Sequence, residues 1–357
     1  MKRRKFLLGA AALAALPSFA AEQTKYPTVR PGTRLAFPRD HGAHPDFQTE
    51  WWYITAWLRA HSGEELGVQI TFFRERPLVQ EDNPSRFAPR QLLFAHAAVS
   101  DSRHGRLRYD QRAARAAFGM AGSRNDTTGV WIDDWRLSLS GKGYRATIRA
   151  RDFSLGLAFV PSQPLLLQGR GGYSQKGPER TQASYYYSQP HLAASGAVTV
   201  AGRELRVTGS AWLDHEWASD ILHDEAGGWD WLGVNFDDGG ALMVFRVRSL
   251  EGTLYWAGGS YREPGGRTRM LEPREITFQP VRRWRSLRTG VSYPVAMKVQ
   301  IGGLELAIEP VLDDQELDAR ATTGTIYWEG AVRVLRAGQQ VGRGYLELTG
   351  YWQPLRL

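Results

Sequence analysis

Apolar and polar residues alternate along most of the chain. Tyr144, Ala146, Ile148 and Ala150 share one face of a strand, with Arg145, Thr147 and Arg149 on the other. Arg151-Asp152 interrupts, then Phe153, Leu155, Leu157 and Phe159 resume the alternation, which predicts a hairpin. The device returns from Val198 to Val207 around Ala201-Gly202, and from Val295 to Ile308 around Gly302-Gly303. Gly-Gly suits a two-residue type I′ turn, which needs positive φ at both central positions. Helical periodicity is scarce, and only Gln111 to Phe118 and Ser219 to Glu225 read as short helices. Asn83 to Arg90, Leu167 to Gln182 and Glu263 to Arg274 are rich in Gly, Pro and charge and read as exposed loops. The pattern predicts an all-β chain of antiparallel hairpins that close into barrels or sandwiches.

The first twenty residues break this pattern. Lys2, Arg3, Arg4 and Lys5 precede the apolar run Phe6 to Leu16, and Ser18-Phe19-Ala20 offers a small-x-small cleavage pattern. Residues 1–20 therefore read as an export signal. Arg3-Arg4-Lys5-Phe6-Leu7-Leu8 is similar to a twin-arginine leader, which carries folded proteins to the bacterial periplasm. A boundary is expected within Ala218 to Gly228, giving an N-terminal domain at 21–222 and a C-terminal domain at 223–357.

Composition narrows the function classes. Of 45 bases against 37 acids, four bases belong to the leader, so a formal charge of +8 falls to +4 and nucleic-acid binding loses its support. With no cysteine in the chain, thiol chemistry and disulfide staples are excluded. No Gly-x-Ser-x-Gly elbow, Walker loop or dinucleotide fingerprint occurs, so a hydrolase reading lacks a nucleophile and no cofactor is expected. His41-x-x-His44 with Asp46 lacks a third ligand at a recognisable spacing, and no metal is expected.

Aromatic residues are abundant, with 13 Trp, 14 Tyr and 14 Phe, and polar residues collect beside them. Glu50 precedes Trp51-Trp52-Tyr53, His96 sits in an apolar strand, and Tyr185-Tyr186-Tyr187 must put rings on both faces. Asp214-His215-Glu216-Trp217 is an acid–imidazole–acid cluster, and Trp229 and Trp231 bracket Asp230. In a strand, Asp214 and Glu216 share one face while His215 and Trp217 share the other. A carboxyl facing indoles in a water-poor cavity has a raised pKa and can act as a general acid near neutrality. Alternatively, His96 is a hydrogen-bonded core histidine, and Glu50 and Asp214 are halves of structural ion pairs.

These blocks resemble a known family. Asp40-His41-Gly42-Ala43-His44-Pro45-Asp46-Phe47 leading into Glu50-Trp51-Trp52-Tyr53, Phe94 to Asp101, Ser184 to Ser188, Trp212 to Trp217 and Gly344 to Tyr351 are similar to the signature of the AttH-like and carotenoid 1,2-hydratase family. The resemblance runs from about Arg30 to Tyr351 and implies two lipocalin-like antiparallel β-barrel domains packed together. For the hydratase branch it implies protonation of an isolated polyene double bond, with Asp214, His215, Trp217 and Asp230 at the matching positions. The leader fits the exported branch.

The expectation is thus an apolar cavity holding a long lipid or polyene. As a hydro-lyase or isomerase, the protein would use Asp214 or Asp230 as acid, His215 to position water, and Glu50 as a further catalytic residue. Trp51, Trp52, Tyr53, His96, Tyr186, Trp217, Trp229 and Trp231 would line the ligand, the indoles stabilising a developing cation. As a periplasmic carrier, it would only bind the hydrophobe, beside a membrane surface or an ABC-type transporter.

Overall fold

The computed structural model describes residues 26–77, 83–85 and 87–356; the leader lies outside them. The first sheet holds β1 (Thr49–Ala60), β2 (Glu65–Glu75), β3 (Leu92–Ser100), β4 (Arg108–Arg115), β5 (Ala121–Ser123), β6 (Gly129–Ile132), β7 (Trp135–Ser140), β8 (Gly143–Arg149), β9 (Phe153–Pro161), β10 (Leu166–Leu167), β11 (Tyr173–Gln175), β12 (Ala183–Val200) and β13 (Arg203–Asp220). Its order is β4-β3-β2-β1-β13-β12-β9-β8-β7-β6-β5, with short β10 and β11 also pairing β12. The second sheet holds β14 (Ala226–Phe236), β15 (Ala241–Ser249), β16 (Leu254–Arg262), β17 (Thr268–Leu271), β18 (Ile276–Arg285), β19 (Ser292–Ile301), β20 (Leu304–Pro310), β21 (Glu316–Ala319), β22 (Thr325–Arg336) and β23 (Gln339–Leu348). Its order is β17-β16-β15-β14-β23-β22-β20-β19-β18, with β21 on β22. The chain passes from one sheet to the other between Asp220 and Ala226.

Every pairing between these strands is antiparallel, and the first sheet curls until its edges meet. Arg112 of β4 reaches the Ile132 carbonyl of β6 at 3.2 Å and Asp134 at 2.6 Å. Such closure removes the exposed edges on which sheets aggregate. Each sheet has its own interior: Trp52, Trp135, Phe159 and Tyr187 are buried in the first, Tyr293, Trp328 and Leu346 in the second. A third core joins the sheets, with Tyr53, Trp57, Tyr186 and Trp212 facing Trp231, Met243, Phe245 and Tyr345. Trp57 adds a bond from its indole to the Gly344 carbonyl at 2.9 Å.

The two expected helices are absent. Gln111 to Arg115 lies in β4, where pairing with β3 overrides a weak local periodicity, and Ser219-Asp220 ends β13. Of the expected loops, Leu167 to Gln182 packs inward: β10 and β11 pair with β12, and Lys176 is buried. Within Glu263 to Arg274, Thr268 to Leu271 forms β17 against β16. The expected hairpins β8–β9, β12–β13 and β19–β20 all form. Positive φ at both central positions falls on Ala201 (50°) and Gly202 (76°), whereas at Gly302-Gly303 only Gly302 adopts it.

Candidate functional site

Strand register assembles the site. Tyr53 of β1 pairs with Thr71 of β2 and Asp214 of β13; Thr71 pairs with His96 of β3, and Asp214 with Ser188 of β12. Directly opposed residues share a face, so one polar row crosses five strands of the first sheet. The adjacent row, Phe73, Trp51, Glu216 and Tyr186, points the same way. From the second sheet, Glu329 pairs with Glu347, Glu347 with Trp231, and Trp231 with Phe245. The two faces enclose a cleft of about 840 Å³ of empty space, its open mouth included. Ile221 and Leu222, in the crossing between the sheets, line it as well.

Asp214 is the central acid of this cleft. The Tyr186 hydroxyl donates to its Oδ2 at 2.7 Å, and the Trp212 indole and the Ser188 hydroxyl donate to its Oδ1. The Trp231 indole in turn donates to the Tyr186 oxygen at 3.0 Å, tying the two sheets together. Burial pushes the Asp214 carboxyl up to about 7 against these three bonds, and the nearby Glu216 adds to the rise. Glu216 pairs with Lys176 Nζ at 2.8 Å, and that ammonium lies 4.2 Å from the Phe245 ring centre and 4.7 Å from that of Tyr186. Burial also pushes Glu347 up to about 7. Glu329 stands well above the usual carboxylate range, raised by burial and then by Glu347.

The remaining expected residues go elsewhere. Glu50, Trp52, His215 and Trp217 lie on the opposite face of β1 and β13, inside the first sheet. Glu50 is saturated there: it accepts from Arg74 Nε at 2.8 Å, from the His44 backbone N–H, and bonds the His44 and His215 rings at 2.9 and 2.8 Å. Burial would raise its pKa, but the imidazoles and Arg74 hold it below the usual range. Burial lowers His215 to about 4. Ligand atoms of His44, Glu50 and His215 lie within 4.8 Å of one another, metal-like spacing, with the Arg74 guanidinium already supplying positive charge to the carboxylate. Asp230 points into the second sheet, its oxygens taken by Arg246 at 2.6 Å, Arg248 at 3.2 Å and the Tyr351 hydroxyl at 3.0 Å. The catalytic parts expected of Glu50, His215 and Asp230 thus have no access to the cleft, because strand alternation turns them away from it.

Trp51, Tyr53, Tyr186, Trp229 and Trp231 line the cleft as expected from their sequence setting, and Trp52 and Trp217 do not. His96 bridges the sheets, bonding the Tyr327 hydroxyl at 2.8 Å and Thr322 at 2.9 Å in a side pocket that shares Tyr327, Trp229 and Glu347 with the cleft. Burial depresses its pKa to about 3, so it is a neutral hydrogen-bonding group. Lys176, Glu329 and Glu347 escaped sequence reasoning. For Glu329 and Glu347 the available signal was the one that marked His96: a single polar residue inside an apolar strand, as in Tyr327-Trp328-Glu329-Gly330 and Tyr345-Leu346-Glu347-Leu348.

Two antiparallel sheets packed face to face around an aromatic cleft define a lipocalin-like, all-β protein. Residues 28–351 match the AttH-like family model, and the chain belongs to that family. It is 50% identical to a Nitrosomonas europaea protein assigned as AttH, with a TM-score of 0.86 over 91% of this chain and 99% of that one. Kievitone hydratase from Nectria haematococca shares the fold at a TM-score of 0.69 and 15% identity, covering 93% of this chain and 98% of its own. CghA, solved with Sch210972, shares it at a TM-score of 0.51 and 13% identity, covering 85% and 89%. No curated protein sequence matches the chain.

Proposed function

We propose that the protein is an exported enzyme that binds a long apolar molecule in the cleft and adds water to, or shifts, one of its double bonds. One observation carries this reading: Asp214 is a buried carboxyl, protonated up to about pH 7, at the aromatic centre of a cleft. Its proton would pass to an alkene carbon, the π electrons forming the new C–H bond. Trp51, Trp229 and Trp231 line the cleft, and an indole face turned to the resulting cation would stabilise it by about 2 kcal/mol when desolvated. Water then adds to the cation and its surplus proton returns to the Asp214 carboxylate; in an isomerisation, a proton from the next carbon returns instead. A fold relative named kievitone hydratase supports hydration as chemistry this architecture carries.

A second reading draws on the same residue. Three donors occupy the Asp214 oxygens, as expected of a structural carboxylate, and a carrier that hands a hydrophobe to a membrane surface or an ABC-type transporter would need no more. Extraction of the protein from periplasm, followed by mass spectrometry, tests the proposal. The enzyme reading expects an unsaturated hydrophobe together with its hydrated or isomerised counterpart; a single saturated lipid contradicts it. Export is tested by Arg3→Lys with Arg4→Lys, which should leave precursor in the cytoplasm; normal periplasmic yield overturns the twin-arginine reading.

A further inference from the structure

Glu329 and Glu347 stand directly opposite each other on β22 and β23, yet no hydrogen bond joins them. Glu329 is 3% exposed, and its Oε1 has no hydrogen-bond partner among the described residues. The Tyr53 hydroxyl, 6% exposed in the same cleft, is also without one. Burial raises the Tyr53 phenol, the charges of Glu329 and Glu347 add to that rise, and so does the close approach of the Glu329 carboxyl, so the three groups share one electrostatic neighbourhood. Buried polar atoms left unpaired are costly and uncommon in native proteins. The Tyr53 phenol lies close to the Glu329 carboxyl across the cleft without completing a hydrogen bond to its Oε1, so the pair has capacity left for a partner that can both donate and accept. A hydroxyl does both.

The charge balance of the cleft narrows that partner. Glu216 is neutralised by Lys176 at 2.8 Å, and no other Lys or Arg is among the described residues that line the cleft. Asp214, Glu329 and Glu347 all face the same space. An anionic headgroup would enter among these acids with no counter-charge, at the desolvation cost that buried unpaired charge always carries. The aromatic walls favour an apolar body.

We infer that Glu329, Glu347 and Tyr53 form a recognition point for the hydroxyl of an uncharged hydrophobe, so that the ligand class is apolar alcohols or phenols and excludes free fatty acids and phospholipid headgroups. The inference rests on the cleft being the ligand site and deepens that reading; it holds whether or not Asp214 donates a proton. The hydroxyl bridges the two carboxyls, donating to one oxygen and accepting from the other carboxyl or from Tyr53. Loading the site fixes the polar end of the molecule between Tyr53 of the first sheet and the two carboxyls of the second, and lays its chain toward Trp51 and Tyr186.

Three probes of one shape test this: naphthalene, 2-naphthol and 2-naphthoate, titrated at pH 8 against the unliganded mature protein by tryptophan fluorescence. The expected order puts 2-naphthol roughly three- to tenfold tighter than naphthalene, the yield of one net hydrogen bond. 2-Naphthoate should bind at least about tenfold more weakly than 2-naphthol, since its charge is unpaired. Glu329→Met should erase the advantage of 2-naphthol, and Tyr53→Phe should reduce it. Equal binding of naphthalene and 2-naphthol, tightest binding of 2-naphthoate, or an advantage surviving both Glu329→Met and Tyr53→Phe overturns the inference. If a variant fails to fold, the order of the three probes on the wild-type protein decides alone. Absence of binding by naphthalene itself overturns the cleft as ligand site, a separate failure.

Discussion

Replacing Asp214 by Asn should remove the pH dependence of one part of the protein's stability. The native carboxyl titrates at about 7, against about 3.9 for an aspartate in an unfolded chain. Between those two values the native state binds the extra proton, so unfolding releases it and stability falls as pH rises. At about 1.4 kcal/mol per unit, the loss accumulated across the interval is roughly 4 kcal/mol, all present above pH 7 and absent below pH 4. Asn carries no such slope. It keeps an acceptor oxygen for Ser188 and Trp212 but turns an amide toward the Tyr186 hydroxyl, a mismatch costing about 1–3 kcal/mol at any pH. The variant should therefore melt below wild type at pH 5 and draw level with it, or pass it, by pH 8.5. Glu329 and Glu347 also lose stability on ionising; the charge of Asp214 adds to the rise of Glu347, so the variant loses less on that account as well, which moves the difference in the same direction. Differential scanning calorimetry at half-unit steps from pH 5 to 9 measures it. A difference in melting temperature that stays constant across that range refutes the argument, because it would mean that Asp214 is ionised throughout.

Two further substitutions probe the parts outside the cleft. Glu50→Gln leaves Arg74 buried without its anion and should cost about 3–5 kcal/mol by chemical denaturation; a loss under 1 kcal/mol would remove this network from the account of stability. Burial holds His96 neutral down to about pH 3, while the unfolded ring takes a proton near 6.5, so its contribution is present above 6.5 and fades as pH falls toward 3. His96→Asn should flatten the acid limb of the stability curve over that window, and an unchanged limb would assign acid unfolding to other groups.

The strands were legible in the sequence because each interior face is continuous: Tyr144, Ala146 and Ile148 alternate with exposed or half-buried neighbours just as a half-buried strand requires. The Gln111 segment was misread because four or five residues fit period 2 and period 3.6 about equally well, and only pairing with β3 decides between them. Asp214 was legible by its apolar setting, and alternation correctly separated it from His215. What the sequence could not supply was the partner sheet. Lys176 reaches Glu216 from a segment whose Gly and Pro content reads as loop, and Glu329 and Glu347 enter the cleft only because β22 and β23 pack against a sheet built more than 100 residues earlier. Asp230, bracketed by two indoles in the sequence, faces inward, since Trp229 and Trp231 occupy the cleft side of β14 and alternation sends Asp230 the other way.

The central claim is that Asp214 delivers a proton to a bound double bond. Its most direct test is to return the molecule extracted from the protein to wild type and to Asp214→Asn in deuterated ¹⁸O-water at pH 6.5, following both binding and mass. Wild type should yield a product heavier by one labelled water, or an isomer that holds no ¹⁸O and carries solvent deuterium. Asp214→Asn should bind comparably and convert about 10²–10⁴-fold more slowly, as loss of a general acid predicts. Equal conversion by the two proteins, or binding by both without any conversion, would contradict the account.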